Sequence, residues 1–201
     1  MPSEHSLEVV SFATELGWIA LAGSGSTVKH IVFNYPSRAA AISALDQKLG
    51  FDEKLAARAS TGHTWASLVA RLQDYAAGGC DDFRDVELDL DHLTAFQRRV
   101  IKHCRAIGYG RTSSYGALAK ASGSQRAARA VGNTMATNRF PLIVPCHRVI
   151  NADGSIGNYG APDGTRMKVR LLTMERAPLA SSEPRPKKSK KKTSRARLAY
   201  A

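Results

Sequence analysis

The sequence predicts an α/β protein of the α+β type, with an antiparallel sheet and helices at the N-terminus and a helical C-terminal part containing a helix-turn-helix. Three observations carry this. Runs of β-forming residues alternate with Gly-rich turns early in the chain, apolar residues recur at helical spacing further on, and two short helical stretches flank Gly123.

The β-type runs are Glu8 to Phe12, Trp18 to Ala22 and Val28 to Phe33, separated by Gly17 and by the turn-like segment Ala22 to Ser26. They read as a meander. Ser37 is placed to cap a helix with Ala41, Ile42, Leu45 and Leu49 on its apolar faces, and Gly50 stands where a C-terminal stop belongs. Trp65, Leu68, Val69, Leu72, Tyr75 and Ala76 then mark a second helix that ends at Gly78-Gly79. An N-terminal α/β domain, 1–85, follows from these elements.

From Thr94 the pattern is helical. Thr94 and Gln97 form a capping box ahead of Phe96, Val100, Ile101, Cys104 and Ile107, which share one face, so Cys104 is a core residue. Ser114 caps a short helix through Ala121, Gly123 ends it, and Ser124 is expected to cap the next, Gln125 to Ala136. That helix carries Ala127, Ala128, Ala130 and Gly132 beside Arg126 and Arg129. Small side chains there suit tight packing on neighbouring helices, whereas the arginines and the helix-turn-helix setting suit nucleic acid.

Composition bounds the function. The 201 residues hold 29 Lys and Arg against 17 Asp and Glu, a formal charge of +12, and 43% are apolar, enough for a core and incompatible with a wholly disordered chain. Residues 178–201 carry eight Lys or Arg and one Glu, +7, leaving +5 on 1–177. This Pro-, Ser- and Lys-rich tail is expected to be disordered and to act as an electrostatic arm or as an inert solubilising extension; its run Lys187 to Lys192 also resembles a nuclear-localisation patch. No stretch approaches the roughly 18 apolar residues of a membrane span, and Met1 to Val10 lacks a signal-peptide layout, so a soluble, intracellular protein is expected. Cys80, Cys104 and Cys146 are few and widely spaced, which points to a reactive thiol and away from disulfides.

The richest segment is Pro141 to Val149, PLIVPCHRV, where an apolar, strand-like run delivers Cys146 between a proline and a histidine. A thiolate nucleophile needs a base or cations nearby, and His147 and Arg148 supply both types. Neighbours in an extended chain point to opposite faces, so His147 serves Cys146 only if the backbone turns there or a water bridges them. Taken alone, a Cys-His dipeptide is as well explained by burial.

PCHRV, with SYGALA at Ser114 to Ala119 and AARAVG at Ala127 to Gly132, closely resembles the O6-alkylguanine-DNA alkyltransferases, the methylated-DNA–protein-cysteine methyltransferase family. The resemblance runs from about Thr94 to Glu175 and less specifically into the N-terminal domain. It implies a ribonuclease H-like N-terminal domain, a winged-helix-like DNA-binding and alkyltransferase domain over 86–177, and DNA repair by direct reversal. In that reaction an alkyl group passes irreversibly from O6 of guanine, with O4-alkylthymine as a further substrate, to Cys146. The transfer is stoichiometric because the thioether product has no easy leaving group.

By the same resemblance His147 acts as base through a water, Glu175 orients and charges its imidazole, Asn138 braces the active-site turn, and Tyr115 hydrogen-bonds the guanine. Arg129 takes the place of the extruded nucleotide, while Arg126, Ala127, Ala130 and Gly132 meet the minor groove of double-stranded DNA. The Val149 backbone and the loop Asn158, Tyr159 and Gly160 line the guanine pocket by the same resemblance, with Met135 near its wall. By default Glu175 reads as solvated surface, Asn138 as a helix terminator, Tyr115 as a buried tyrosine and Arg129 as a solvated charge.

The segment Gly160 to Gly164 departs from the family's shorter Gly-rich run, which bears on alkyl preference. No cofactor and no metal are expected, since no cysteine precedes Cys80 and His5, His30 and His63 lack ligand spacing. The expected partner is DNA, bound by a monomer, in the cytoplasm with the nucleoid or in a nucleus according to source. Two competing functions are a non-catalytic binder of alkylated DNA, opposed by Cys146, and a methylation-sensing regulator, for which the chain has no cysteine-rich metal domain.

Overall fold

The computed structural model describes residues 7–50 and 65–177. The readings made for the tail 178–201, for Met1 to Ser6, and for His5 and His63 lie outside the described residues.

Strands β1 (Glu8–Thr14), β2 (Gly17–Ser24) and β3 (Thr27–Tyr35) form the expected antiparallel meander, each longer than its β-forming run because pairing carries it into the turns. Phe12 faces Ile19 and Leu21 faces Ile31 in register. A two-residue strand, β4 (Glu87–Leu88), adds parallel to the start of β3. It is too short to leave a sequence pattern.

Both faces of the sheet are covered, which explains its apolar character. Val9, Ala20, Ala22 and Val32 alternate onto the face that packs on α1 (Arg38–Leu49) through Ala41, Ile42 and Leu45. The helix is capped as its sequence implies, with Ser37 Oγ accepting from the Ala40 amide and Gly50 left-handed at its end. Phe12, Ile19, Leu21, Ile31 and Phe33 point the other way, into a core shared with α2 (Ala66–Ala76) and with the C-terminal helices. A mixed α/β architecture, a small antiparallel sheet with helices, results.

Thr94 and Gln97 close the capping box of α3 (Ala95–Arg105), and Cys104 is fully buried. Ser114 caps α4 (Tyr115–Ala121). The helix after Gly123 corrects the expectation, since α5 spans only Ala128–Ala136 and has no side-chain cap. Ser124 instead accepts the Ala127 amide through its carbonyl, closing a turn that holds Arg126 ahead of the helix. The last helix, α6, is Thr165–Met174.

A second correction concerns Pro141 to Val144, which is not strand-like. The Val144 amide donates back to the Phe140 carbonyl at 2.7 Å and Leu142 is left-handed (φ 73°), so the run is a buried turn. Prolines at both ends deny it ladder hydrogen bonds. Two short strands, β5 (Ser113–Ser114) and β6 (Val149–Ile150), pair in parallel and fix the start of α4 beside the residues that follow Arg148. Among the described residues no helix is long and apolar enough to cross a membrane.

Candidate active site

Cys146, His147 and Arg148 form one turn of 3-10 helix, closed by the Arg148 amide donating to the Pro145 carbonyl at 2.9 Å. This is the backbone turn that the Cys-His pairing requires. All three side chains are buried, Cys146 at 6% exposure and His147 at 0%.

The Asn138 amide nitrogen donates to Cys146 Sγ at 3.1 Å and to the Val144 carbonyl at 3.0 Å, while its Oδ1 accepts from the Phe140 amide. One side chain thus spans the whole turn and touches the sulfur. Burial pushes the Cys146 thiol up from its ordinary value, and the Asn138 hydrogen bond, the Lys168 charge and the Tyr159 phenol pull it back towards the thiolate.

The cation that acts on the sulfur is therefore Lys168, and not Arg148 as the sequence suggested. Lys168 is completely buried, donates to the Val149 carbonyl at 2.6 Å and lies over the Tyr115 ring at 5.7 Å. Burial lowers its ammonium to about 8. Arg148 turns the other way, to Glu175, to Asp82 at 2.7 Å and to the Ile107 carbonyl at 2.6 Å.

Glu175 is 2% exposed, which removes the solvated-surface reading. Its Oε1 accepts from His147 Nε2 at 2.9 Å, Tyr75 Oη at 2.6 Å and Arg148 Nη2 at 2.9 Å, and Oε2 accepts from the Gly110 amide at 3.3 Å. Burial alone would raise this carboxyl; the hydrogen bonds from His147 and Arg148 outweigh it and hold the group at about 2. The same burial pushes the His147 imidazolium down, against the opposing pull of Glu175, so the ring is neutral at neutral pH. With Nε2 turned to Glu175, Nδ1 has no protein partner. Gly110 is required here, because at φ 67° a Cβ would stand 2.8 Å from the Glu175 carbonyl oxygen.

Cys146 is at the floor of a cleft of about 440 Å³, within the roughly 300–1,000 Å³ of small-molecule sites. Tyr115, Met135, Asn158, Tyr159 and Gly160 line it. Val149 does not: its side chain is fully buried and its carbonyl is taken by Lys168. Asn133, Asn151 and Gly157 also line the cleft and were not foreseen. On the α5 surface Arg129 and Ala130 are exposed, and open space surrounds the position of a Gly132 Cβ. The tight-packing reading of the small residues therefore does not hold for Gly132.

Tyr75, Asp82 and Lys168 were missed as site residues. Tyr75 read as one more apolar position of α2. Lys168 left a usable signal, since it precedes Leu171 and Leu172 by three and four residues on the buried stripe of α6, a place where a lysine needs a reason. Among the described residues no cluster of three His, Cys, Asp or Glu could hold a metal ion.

Fold and site define a mixed α/β protein with a buried, polarised cysteine under a cleft beside an open helix face. The family model for the 6-O-methylguanine DNA methyltransferase DNA-binding domain matches residues 95–177. A methylated-DNA–protein-cysteine methyltransferase of Mycolicibacterium paratuberculosis is 45% identical over 112 residues, 56% of this chain and 66% of that protein's length, just under two thirds. Its Mycobacterium leprae counterpart is 42% identical over 59% of this chain and 69% of its own. The solved structure of Mycobacterium tuberculosis OGT in complex with DNA superposes with a TM-score of 0.66 at 35% identity, covering 85% of this chain and 95% of that one. The chain belongs to the methylated-DNA–protein-cysteine methyltransferase family.

Proposed function

We propose that this chain repairs DNA by direct reversal, transferring the alkyl group of O6-alkylguanine to Cys146 in a single, irreversible turnover. The observation that carries the reading is the sulfur itself, hydrogen-bonded by Asn138, next in the chain to the His147–Glu175 pair and lining the cleft. The Cys146 proton passes to neutral His147 through a water at Nδ1, and Glu175 stabilises the imidazolium that forms. Sγ attacks the alkyl carbon, the C–O6 electron pair goes to guanine, and the Tyr115 hydroxyl donates to the base as negative charge gathers there.

Double-stranded DNA is bound through its minor groove, with Arg126, Ala127, Ala130 and Gly132 at the contact and Arg129 replacing the nucleotide extruded towards Met135, Asn158, Tyr159 and Gly160. The Mycobacterium tuberculosis structure solved with DNA, and a Thermus thermophilus DNA base-flipping protein 42% identical over 106 residues, support DNA as partner. The protein acts as a monomer of three parts: a ribonuclease H-like domain (1–85), a winged-helix-like domain (86–177) and a basic tail (178–201). O4-alkylthymine is a second substrate.

Intact-protein mass spectrometry with peptide mapping, after incubation with duplex DNA containing O6-methylguanine, tests the reading. One methyl on Cys146, absent with unmodified DNA and with Cys146→Ser, is expected. Tight binding by folded, reduced protein with no mass gain would leave a damage-binding protein in its place.

A further inference from the structure

Strand β3 carries one residue too many near its end. Trp18 pairs with Tyr35 and Ala20 with Val32, so Phe33 and Asn34 together face the single residue Ile19, a β-bulge. Asn34 is left-handed there (φ 66°), a conformation that asparagine adopts more readily than most residues other than glycine. A bulge redirects the side chain it carries. Here the redirected group leaves the sheet for the segment Gly160 to Gly164, in which the sequence departs from the family's shorter Gly-rich run.

The Asn34 side-chain nitrogen donates to the Pro162 carbonyl at 2.8 Å and to Asp163 Oδ2 at 3.3 Å. Both partners only accept, which fixes the orientation of the amide. The neighbouring Phe33 meets the Tyr159 ring edge-on, with centroids 6.5 Å apart. Around the attachment the loop is closed on itself, the Gly164 amide donating to the Ala161 carbonyl at 2.9 Å and Arg166 pairing with Asp163 at 3.1 Å. Just upstream, Asn158, Tyr159 and Gly160 line the cleft, and the Tyr159 phenol is among the groups that pull the Cys146 thiol towards the thiolate. Pro162 is three residues beyond Tyr159, so no more than about 11 Å of chain separates the attachment from the residue at the sulfur.

Resting on the alkyl-transfer reading, we infer that Asn34 is a positioning residue of that reaction, the anchor that holds the loop 158–164 at the wall of the guanine cleft and Tyr159 against Cys146. Asn34 does not itself line the cleft. It acts through the loop. A pinned segment has already given up the conformational freedom that it would otherwise lose when the base enters, so the wall is in place before the reaction starts. The N-terminal sheet thereby contributes to a reaction whose chemical groups all lie in the C-terminal part of the chain.

The test uses Asn34→Gly, which suits a left-handed position and removes only the anchor, and Asn34→Asp, alone and combined with Asp163→Asn. In Asn34→Asp a carboxylate faces the Pro162 carbonyl and Asp163, and the second substitution returns a donor to the contact. Three quantities are read: hydrogen exchange of the peptide covering 158–164, the rate constant of transfer from saturating O6-methylguanine duplex, and the pH dependence of iodoacetamide labelling at Cys146, followed by peptide mapping. In Asn34→Gly and Asn34→Asp the loop amides should exchange faster, transfer should slow by about tenfold, and the labelling curve should move to higher pH as the phenol leaves the thiol, while affinity for unmodified duplex holds. Adding Asp163→Asn should restore part of the loss. Unchanged exchange or an unmoved labelling curve overturns the anchor. So does faster exchange with an unchanged transfer rate constant, and so does a fall in affinity for unmodified DNA that accounts for the slower transfer, the mark of a DNA contact. Failure of the parent protein to take methyl from O6-methylguanine overturns the alkyl-transfer reading, and with it the role given to Asn34; exchange and labelling need no lesion and tell that case apart from a loop that was never held.

Discussion

Glu175 Oε1 takes hydrogen bonds from Tyr75, His147 and Arg148 at once, and the basicity of His147 is tuned through that atom. Tyr75 touches no reacting atom in the proposed chemistry; it is a positioning residue. Tyr75→Phe removes one donor, leaves the carboxylate more basic and so raises the His147 imidazolium. Transfer should slow by about tenfold, and the acid limb of the rate-against-pH profile should move upward, a shift that a purely structural tyrosine would not produce. Glu175 also sets acid stability. Its folded-state value of about 2 lies below its ordinary 4.5, so its contribution is complete above about pH 4.5 and is lost as the pH falls from there through 2. A shift of that size is worth about 3 kcal/mol. Urea unfolding at pH 6, 4 and 3 should show the loss, and a Glu175→Gln variant should lack that component. The resemblance supplied the pairing of Glu175 with His147, but the Tyr75 contact was not visible in the sequence, because Tyr75 and Glu175 are 100 residues apart and no local pattern couples them.

Helix boundaries were legible where a side chain makes the cap and illegible where a turn does. Ser37, Thr94 and Ser114 each bond the amide three residues on, as their positions implied, but at Ser124 the carbonyl forms the turn and the hydroxyl caps nothing. The strands β4, β5 and β6, two residues each, exist because neighbouring segments dock, so no alternation could announce them. The DNA-binding role proposed for α5 comes from the family resemblance, since its alanines and glycine taken alone suited tight packing better. Gly132→Leu on that helix separates folding from binding. Nothing lies within 4 Å of a Cβ at that position, and leucine is the better helix former, so the thermal midpoint should hold or rise. Affinity for duplex DNA should fall by about tenfold or more if the helix enters the groove there, as fluorescence anisotropy would measure.

Across the whole molecule charge is the dominant quantity. More than half of the net +12 belongs to residues 178–201, at +7. Ending the chain at Ala177 should reduce the magnitude of the slope of log affinity against log salt, by up to about 7 if all eight basic residues neutralise phosphates. Transfer to Cys146 from saturating DNA should be unaffected. An unchanged slope would make the tail a solubilising extension. The core that carries the site is continuous, joining Phe33 of the sheet and Tyr75 of α2 to Val144 and Leu171. The link is also made by backbone, since the Ile31 amide donates to the Arg139 carbonyl at 2.9 Å.

That link has a consequence for how such proteins diverge. The residues proposed to carry the chemistry lie within the matched segment 95–177, while a smaller cavity of about 80 Å³ that also touches Cys146 is walled in part by β3 and α1, outside that segment. Substitutions at His30, Val32 or Lys48 can reshape that wall without touching the motif by which a relative is recognised. Two lineages can therefore keep the same nucleophile and differ in the space beside it, so the shape of the site is to be read from the N-terminal sheet as well as from the signature around Cys146.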